Sequence, residues 1–133
     1  DMFTTQYEKL ADVLVSHSIR VTRGDVVAVD AYEIPEDFLV ILIRRIRKAG
    51  GQPLIQLHHG RITREIARDV SAAHGKLVCD VELARFKKCD CYIGIRGGAN
   101  SLELSDVPAK SLQTFQKALR PAVNYRVNKT RWV

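Results

Sequence analysis

The clearest pattern in the chain is an uninterrupted strand, helix and strand between residues 24 and 57. An apolar run over residues 26–31 is followed by a helical segment over 35–48 and by a second apolar run over 54–57. Runs that are apolar at nearly every position are typical of strands buried on both faces of a parallel sheet. The pattern therefore predicts a β-α-β unit within an α/β fold.

The remaining segments continue this alternation of helices and strands. Apolar positions at helical spacing predict helices over residues 5–19, 62–73 and 81–88, a strand over 91–95 and a helix that begins after Pro108. Pro121 is expected to kink or split that last helix, and Trp132 and Val133 resemble the opening of a further strand. Several apolar residues are predicted to face the core: Tyr7, Leu10, Ala11, Leu14 and Val15 in the first helix, Ile62, Ile66, Val70 and Ala73 in the third, and Leu112, Phe115, Leu119 and Val123 in the last.

These elements together predict a three-layer Rossmann-like, or flavodoxin-like, domain. Its mostly parallel sheet has about four strands and carries helices on both faces. Right-handed crossovers favour a first strand flanked by the second and third. At 133 residues with 46% hydrophobic content, residues 1–133 fit a single domain.

The net charge of +6 makes a weak attraction to anions plausible. However, the cations fall on helix positions away from the apolar stripes, and 15 acidic residues are interspersed among them, as on a solvated surface. Aromatic residues are not interleaved with the basic ones, so a nucleic-acid partner is not expected. The longest apolar run, residues 38–43, is far shorter than the roughly 20 residues of a membrane helix.

The three cysteines do not form a disulfide framework in this interpretation. Cys89 and Cys91 lie one residue apart at the start of a strand, where successive side chains point to opposite faces. We expect buried, unreactive thiols and a reducing, cytoplasmic location. A redox pair is disfavoured because the spacing differs from Cys-x-x-Cys and no helix begins directly after it.

Few residues have the spacing of a catalytic or metal site. His58 and His59 close the second strand, but adjacent strand residues point apart, and their spacing to His17, His74 and the cysteines matches no zinc pattern. Asp30 and Glu33 flank the end of the first strand, where Glu33 is expected to interact with the positive end of the following helix. The sequence thus predicts no catalytic residue and no metal ligand in this segment.

Two other regions are candidates for binding. The first is a loop at the end of the third strand, in which a glycine-rich backbone can approach a phosphate, although the G-x-G-x-x-G pattern is absent: Arg96, Gly97, Gly98 and Asn100. The second is the helix over residues 35–48, which is apolar on more than one side. Its surplus residues Phe38, Val40 and Ile41 are candidates for an interface with another domain or subunit, and a deeply buried helix explains them equally well.

Specific segments resemble the N-terminal domain of the thermophilic, AmpS-like metallo-aminopeptidases, also called leucyl aminopeptidases or the aminopeptidase T type. The matching segments are "YEKLADVLVSHSIRV", "TRGDVVAVDA", "IRRIRKAGGQPLIQL", "KKCDCYIGIRGGANSLELSDVPAK" and a terminal "RW". The similarity extends over essentially all 133 residues. Most of the matching positions are glycines and apolar strand residues that define the fold.

The resemblance implies a role within a larger hydrolase. Members of this family hydrolyse N-terminal residues from peptides with two divalent metal ions, zinc or cobalt, whose ligands lie in a C-terminal domain. The resemblance further implies that this chain is the N-terminal portion of a longer, dimeric enzyme, that the catalytic domain is its partner, and that the chain is inactive alone. The alternative is a freestanding Rossmann-like module that binds a nucleotide or another anionic small molecule.

Overall fold

The computed structural model describes residues 2–97 and 107–133, and it confirms the predicted α/β fold class. The sheet has four parallel strands in the order β2-β1-β3-β4, so the first strand lies between the second and third as predicted. The strands are β1 (Val26–Tyr32), β2 (Gln52–His58), β3 (Cys91–Arg96) and β4 (Arg131–Trp132).

Helices cover both faces of this sheet. Their bounds are α1 (Met2–Asp12), which continues as the π-helical segment Val13–Ser18, α2 (Glu36–Lys48), α3 (Gly60–Ala67), α4 (Ala72–Lys87) and α5 (Ala109–Lys129). Helices α1 and α2 pack on one face, and α4 and α5 pack on the other. Within the described ranges, no helix combines the length and the apolar character needed to cross a membrane.

Strand β1 contributes to the core on both faces because its successive side chains alternate between them. Val27 and Val29 are fully buried against α1 and α2, whereas Ala28 faces α4 and α5. Asp30 shares the face of Ala28, so its carboxylate is directed to the side of α4 and α5. This single polar position determines where the candidate site forms.

Strand β2 is an edge strand, which differs from the prediction that it is buried on both faces. It pairs with β1 alone among the described strands. Leu54 and Leu57 are consequently 40% and 61% exposed. An apolar run of this length does not distinguish a central strand from an edge strand, because the distinction depends on neighbours that are distant in sequence.

The predicted helices over residues 62–73 and 81–88 were wrong in their boundaries. Helix α3 ends at Ala67, and α4 begins at Ala72 and continues through the predicted gap to Lys87. The chain breaks between them because Asp69 has a positive φ of 55° and the Ser71 hydroxyl caps α4 by accepting from the His74 N–H at 3.0 Å.

The predicted inner face of the third helix was also partly wrong. Ile62 and Ile66 are 61% and 42% exposed, whereas Val70 is buried. The predicted apolar face assumed one continuous helix over residues 62–73. Because α3 ends at Ala67, the residues after it no longer follow the same helical face. Ile66 lines the cavity described below.

Several smaller features also bear on the predictions. Leu10 is 44% exposed, although its neighbour Ala11 is fully buried. Pro35 immediately precedes α2 as its N-cap residue instead of occupying the first helical position. Helix α5 continues through Pro121 as one helix, so the proline does not split it. Its residue Val123 is 38% exposed.

Candidate functional site

A cavity of about 600 Å³ opens at the carboxyl edge of the sheet. The ends of β1, β2 and β3 form its floor, and α4 and α5 form its walls. This is the edge at which open α/β sheets bind ligands. Its lining combines aromatic, apolar and charged side chains, among them Asp30, Tyr32, His58, Glu82, Phe86, Tyr92, Arg96, Phe115, Leu119, Arg126 and Trp132.

Asp30 is the centre of a buried polar network at the cavity floor. Arg85 Nη2 donates to both carboxylate oxygens of Asp30, at 2.7 Å and 2.8 Å. Tyr92 Oη donates to Oδ2 at 2.8 Å, and His58 Nε2 lies 2.9 Å from Oδ1. Arg85 Nη2 also contacts Glu82 Oε2 at 3.2 Å. The network links β1, β2, β3 and α4 through one carboxylate.

This environment changes the ionisation of three groups. Burial alone would raise the pKa of Asp30, but the hydrogen bond with His58 and the charge of Arg85 outweigh it and hold that pKa below its usual value. Burial raises the pKa of Tyr92, and the charge of Asp30 raises it further. Burial also raises the pKa of Glu82, which Arg85 only partly opposes. Asp30 is therefore the stable anion of the network.

The strand register explains how the aromatic residues reach this carboxylate. Asp30 pairs with Gly94 of β3. A Cβ atom at Gly94 would lie 3.1 Å from the Tyr92 ring, so glycine leaves room for that ring beside the strand. The absence of a side chain at Gly94 thus positions the Tyr92 hydroxyl for its bond to Asp30.

Two arginines stack on aromatic rings around the cavity. Tyr32 pairs in register with His58 and Arg96, and its ring stacks on the His58 ring at 4.4 Å while the Arg96 guanidinium lies 4.0 Å from its centroid. The Arg126 guanidinium lies 4.4 Å from the centroid of the Tyr92 ring. Such cation–π contacts hold a planar guanidinium in a fixed orientation.

Some buried guanidinium nitrogens lack hydrogen-bond partners among the described residues: Arg85 Nε, Arg85 Nη1 and Arg126 Nε. Buried donors without a partner are rare in native proteins, and each requires an explanation such as a ligand, an ion or an ordered water. Arg126 lines the cavity, whereas Arg85 is not among its lining residues.

Glu33 interacts with a different helix from the one expected. Its Oε1 atom accepts from the backbone N–H of Gly60 at 2.9 Å, so the carboxylate stabilises the start of α3 and not the start of α2. Its backbone has a positive φ of 56°, a strained conformation for a residue with a side chain. The carboxylate that was expected near the helix dipole is thus used to join the end of β1 to α3.

Within the candidate loop, the structure describes Arg96 and Gly97, whereas Gly98 and Asn100 lie outside the described residues. The Gly97 N–H donates to the Tyr32 carbonyl oxygen at 2.7 Å, so it is already used within the domain. A Cβ atom at this position would lie 2.3 Å from the Glu33 carbonyl oxygen. Close backbone approach therefore accounts for Gly97 without a bound phosphate.

The remaining candidate residues are dispersed. Phe38 is buried in the domain core, where its ring meets that of Tyr7 at 5.5 Å, and Ile41 packs against the same core. Val40 is 43% exposed, so it is the member of the predicted interface that remains accessible, and the interface itself stays a prediction.

The cysteines are buried as expected. Cys79, Cys89 and Cys91 are all free and buried. Burial raises the pKa of Cys91 to about 11, and burial also raises the pKa of Cys89. Both thiols therefore remain protonated at neutral pH, as inert structural cysteines do.

The described residues do not offer ligands for a pair of divalent metal ions. Across residues 2–97 and 107–133, no cluster of three or more His, Cys, Asp or Glu side chains has metal-binding geometry. Asp30 and His58 meet, but Arg85 and Tyr92 bond to the same carboxylate. A cation would have to displace a guanidinium from the buried carboxylate, so we assign no metal-dependent step to this chain.

Several members of the site were missed in the sequence. Arg85 and Tyr92 are 55 and 62 residues from Asp30 in sequence, and Arg126 lies on a helix in the last part of the chain. Arg85 carried a partial signal, because an arginine among the apolar residues of α4 departs from a simple surface pattern. Asp30 and His58 were recognisable because both close apolar strands.

Comparison of the sequence with protein-family models and with curated proteins finds no match. Among solved structures, the fold is similar to that of wild-type AmpT from Thermus thermophilus, with a TM-score of 0.74 and 16% sequence identity. The similarity covers 98% of this chain and 35% of that chain. The chain therefore spans about a third of the length of that protein, and the likeness establishes the fold.

Proposed function

We propose that this chain is the N-terminal, non-catalytic domain of a metal-dependent aminopeptidase. The observation that carries the proposal is the fold similarity to AmpT, a metallo-aminopeptidase, over 98% of this chain. The segments that resemble the aminopeptidase T type in sequence support the same family. In such an enzyme the full-length protein would hydrolyse N-terminal residues from peptides.

The catalytic chemistry of the parent enzyme would belong to a C-terminal domain. When bound there, two zinc or cobalt ions would activate a water molecule and polarise the peptide carbonyl. The residues of the present chain would support that domain by packing and by shaping the wall of its substrate cavity. We further propose a homodimer located in the cytoplasm, with Val40 as a candidate contact because it is an exposed apolar residue on α2.

An assay of leucine p-nitroanilide hydrolysis tests this proposal. The 133-residue chain and the same chain extended through its C-terminal domain are each supplied with Co²⁺ or Zn²⁺. We expect turnover by the extended protein and none by the chain alone. Sedimentation of the extended protein tests the dimer, and a monomer would refute that part. Absence of hydrolysis by an extended, folded, metal-loaded protein would refute the peptidase assignment.

The alternative function, a freestanding module for a nucleotide or another anionic molecule, is favoured by one feature, the cationic wall of the cavity at Arg96 and Arg126. The use of the Gly97 N–H within the domain argues against a phosphate loop of the dinucleotide-binding type. Titration with ATP and with NAD, followed by fluorescence, separates the two functions, because a nucleotide module must show saturable binding.

A further inference from the structure

We propose that the carboxyl-edge cavity binds a small organic monocarboxylate with an apolar body, and that Arg126 pairs with its carboxylate. This site does not depend on the aminopeptidase assignment, because all of its residues belong to the present chain. The inference rests on the unpaired guanidinium of Arg126 at the cavity, on the bonds that already occupy Asp30 and on the apolar character of the walls.

Arg126 has no hydrogen-bonded carboxylate among the described residues, although its charge acts on Glu82 and partly opposes the burial that raises the pKa of that carboxyl. Asp30 and Glu82 both contact Arg85 through its Nη2 atom. Among the described residues, no carboxylate forms a hydrogen bond or an ion pair with Arg126, whose contacts are the faces of Phe86 and Tyr92. A half-buried guanidinium on two aromatic faces is less solvated than one in water, so an anionic ligand gains more by pairing with it.

The same network disfavours a cationic ligand at Asp30. Both oxygens of Asp30 already accept hydrogen bonds from Arg85, and each also meets a second partner, His58 or Tyr92. An ammonium group would have to break these bonds to reach the carboxylate. The oxygens of Asp30 are therefore already bonded, whereas Arg126 has no carboxylate bonded to it in the part of the chain that the structure describes.

The number of available donors favours a carboxylate over a phosphate dianion. Phosphate sites in α/β folds combine several backbone N–H groups with the start of a helix. Here the Gly97 N–H is bonded to the Tyr32 carbonyl oxygen. A single planar guanidinium such as that of Arg126 matches one planar carboxylate.

The cavity walls indicate what kind of body the ligand carries besides its carboxylate. Apolar side chains from α3, α5 and β4 line the cavity: Ile66, Leu112, Phe115, Leu119, Val123 and Trp132. A volume of about 600 Å³ suits a small organic molecule. A branched aliphatic or aromatic body attached to one carboxylate fits both the apolar walls and the cationic end.

The only tryptophan of the chain provides a direct reporter. Trp132 lines the cavity and is 49% exposed, so a ligand that covers it changes its fluorescence. The probes are 3-phenylpropionate, its uncharged amide 3-phenylpropionamide, and inorganic phosphate. We expect saturable quenching by the acid, binding of the amide weaker by about tenfold or more, and no saturable response to phosphate.

Variants of two arginines on α5 test whether Arg126 causes the preference for the acid over the amide. Arg126→Gln is expected to remove the preference for the acid over the amide, and Arg126→Lys to retain part of it. Arg120→Gln is the matched control, because Arg120 is exposed on the same helix and lies outside the cavity lining. Circular dichroism establishes that each variant is folded, and the comparison of acid with amide on the unaltered protein stands if Arg126→Gln does not fold.

Several outcomes would overturn the proposal. Equal binding of acid and amide would show an apolar pocket without charge recognition. Saturable binding of phosphate alone would show a phosphate site. No saturable response to the acid would show that the cavity does not bind a carboxylate of this kind. Retention of the acid preference in folded Arg126→Gln protein would place the carboxylate elsewhere.

Discussion

Asp30 is buried, where an ionised carboxylate loses the stabilisation of water, and hydrogen-bond partners compensate for that loss. The residue is 3% exposed, so it has lost nearly all of its hydration. Bonds from Arg85 and Tyr92 and the contact with His58 replace that hydration. The three partners come from a helix and two strands, so the carboxylate specifies how α4 and β2 are placed around β1 and β3.

Replacing Asp30 by asparagine tests this role. The Asp30→Asn variant leaves the guanidinium of Arg85 buried without its main counterion, and loss of one partner of a buried pair costs about 3–5 kcal/mol. Urea unfolding followed by circular dichroism measures the change in the free energy of unfolding. The control is Asp80→Asn, whose partner Lys76 is an exposed neighbour on α4. Equal losses in the two variants would contradict a structural role for Asp30.

The depressed pKa of Asp30 predicts how stability changes in acid. Between its folded and unfolded pKa values the unfolded chain binds more protons, so the free energy of unfolding rises with pH in that interval. The contribution is present above the unfolded value of about 3.8 and is lost as pH falls through the lower folded value. Asp25, whose burial is outweighed by hydrogen bonds from Thr22 and by the charge of Arg131, contributes in the same direction.

Urea midpoints measured from about pH 5 to about pH 2 check this prediction. The unaltered protein is expected to lose stability across this interval, and Asp30→Asn is expected to lose less, because one of the responsible carboxylates is absent. A variant that kept the full acid dependence would show that Asp30 does not have a depressed pKa.

At the scale of elements, the segments that were predicted correctly are those with local signals. The apolar run of β1, the glycines after α2 and the apolar residues of β3 define a β-α-β unit and a third strand without reference to the rest of the molecule. The edge position of β2 depends on neighbours that are distant in sequence, and the break between α3 and α4 depends on the backbone conformation of one residue. The break requires a positive φ at Asp69, which aspartate signals only weakly.

The residues of the candidate site likewise divide into those with a local sequence signal and those that meet only in the folded chain. Asp30 and His58 were noted because strand ends at the carboxyl edge are positions for ligands, although neither was predicted to be catalytic or to bind a metal. The identity of their partners could not be predicted, since Arg85 and Tyr92 approach Asp30 only after α4 and β3 have packed. The apolar face of α5 was predicted to fill the core, but Leu112, Phe115 and Leu119 line the cavity and are only half-buried.

The contact between α4 and α5 depends on a glycine in the first turn of α4. A Cβ atom added at Gly75 would lie 2.6 Å from the Cβ atom of Ala118, closer than two side-chain carbons can approach. Gly75→Ala therefore forces the helices apart. Overpacking of this kind costs about 1–3 kcal/mol, and the better helix propensity of alanine recovers about 1 kcal/mol.

A double-mutant cycle isolates this contact from the helix propensities. Ala118→Gly removes the opposing Cβ atom, so the double variant is expected to be more stable than the sum of the two single changes predicts. Thermal and urea unfolding of the four proteins give the coupling energy. Additive effects would mean that α4 and α5 tolerate the extra carbon without a clash.

At the scale of the whole molecule, the polar centre lies where α/β folds bind ligands, but it is occupied by its own ion pairs. Arg85, Tyr92 and His58 use the bonding capacity of the buried carboxylate of Asp30. The fold is similar to that of about a third of AmpT. The central claim is therefore that the network of Asp30 is structural and is not a metal centre.

Titration of the 133-residue chain with Co²⁺ tests that claim most directly. Ligation by a carboxylate and a histidine changes the visible absorption of cobalt, so the spectrum reports on Asp30 and His58. We expect the spectrum of hydrated cobalt at every ratio and an unchanged melting temperature. A saturable, stoichiometric change in the cobalt spectrum that is lost in His58→Gln would contradict it.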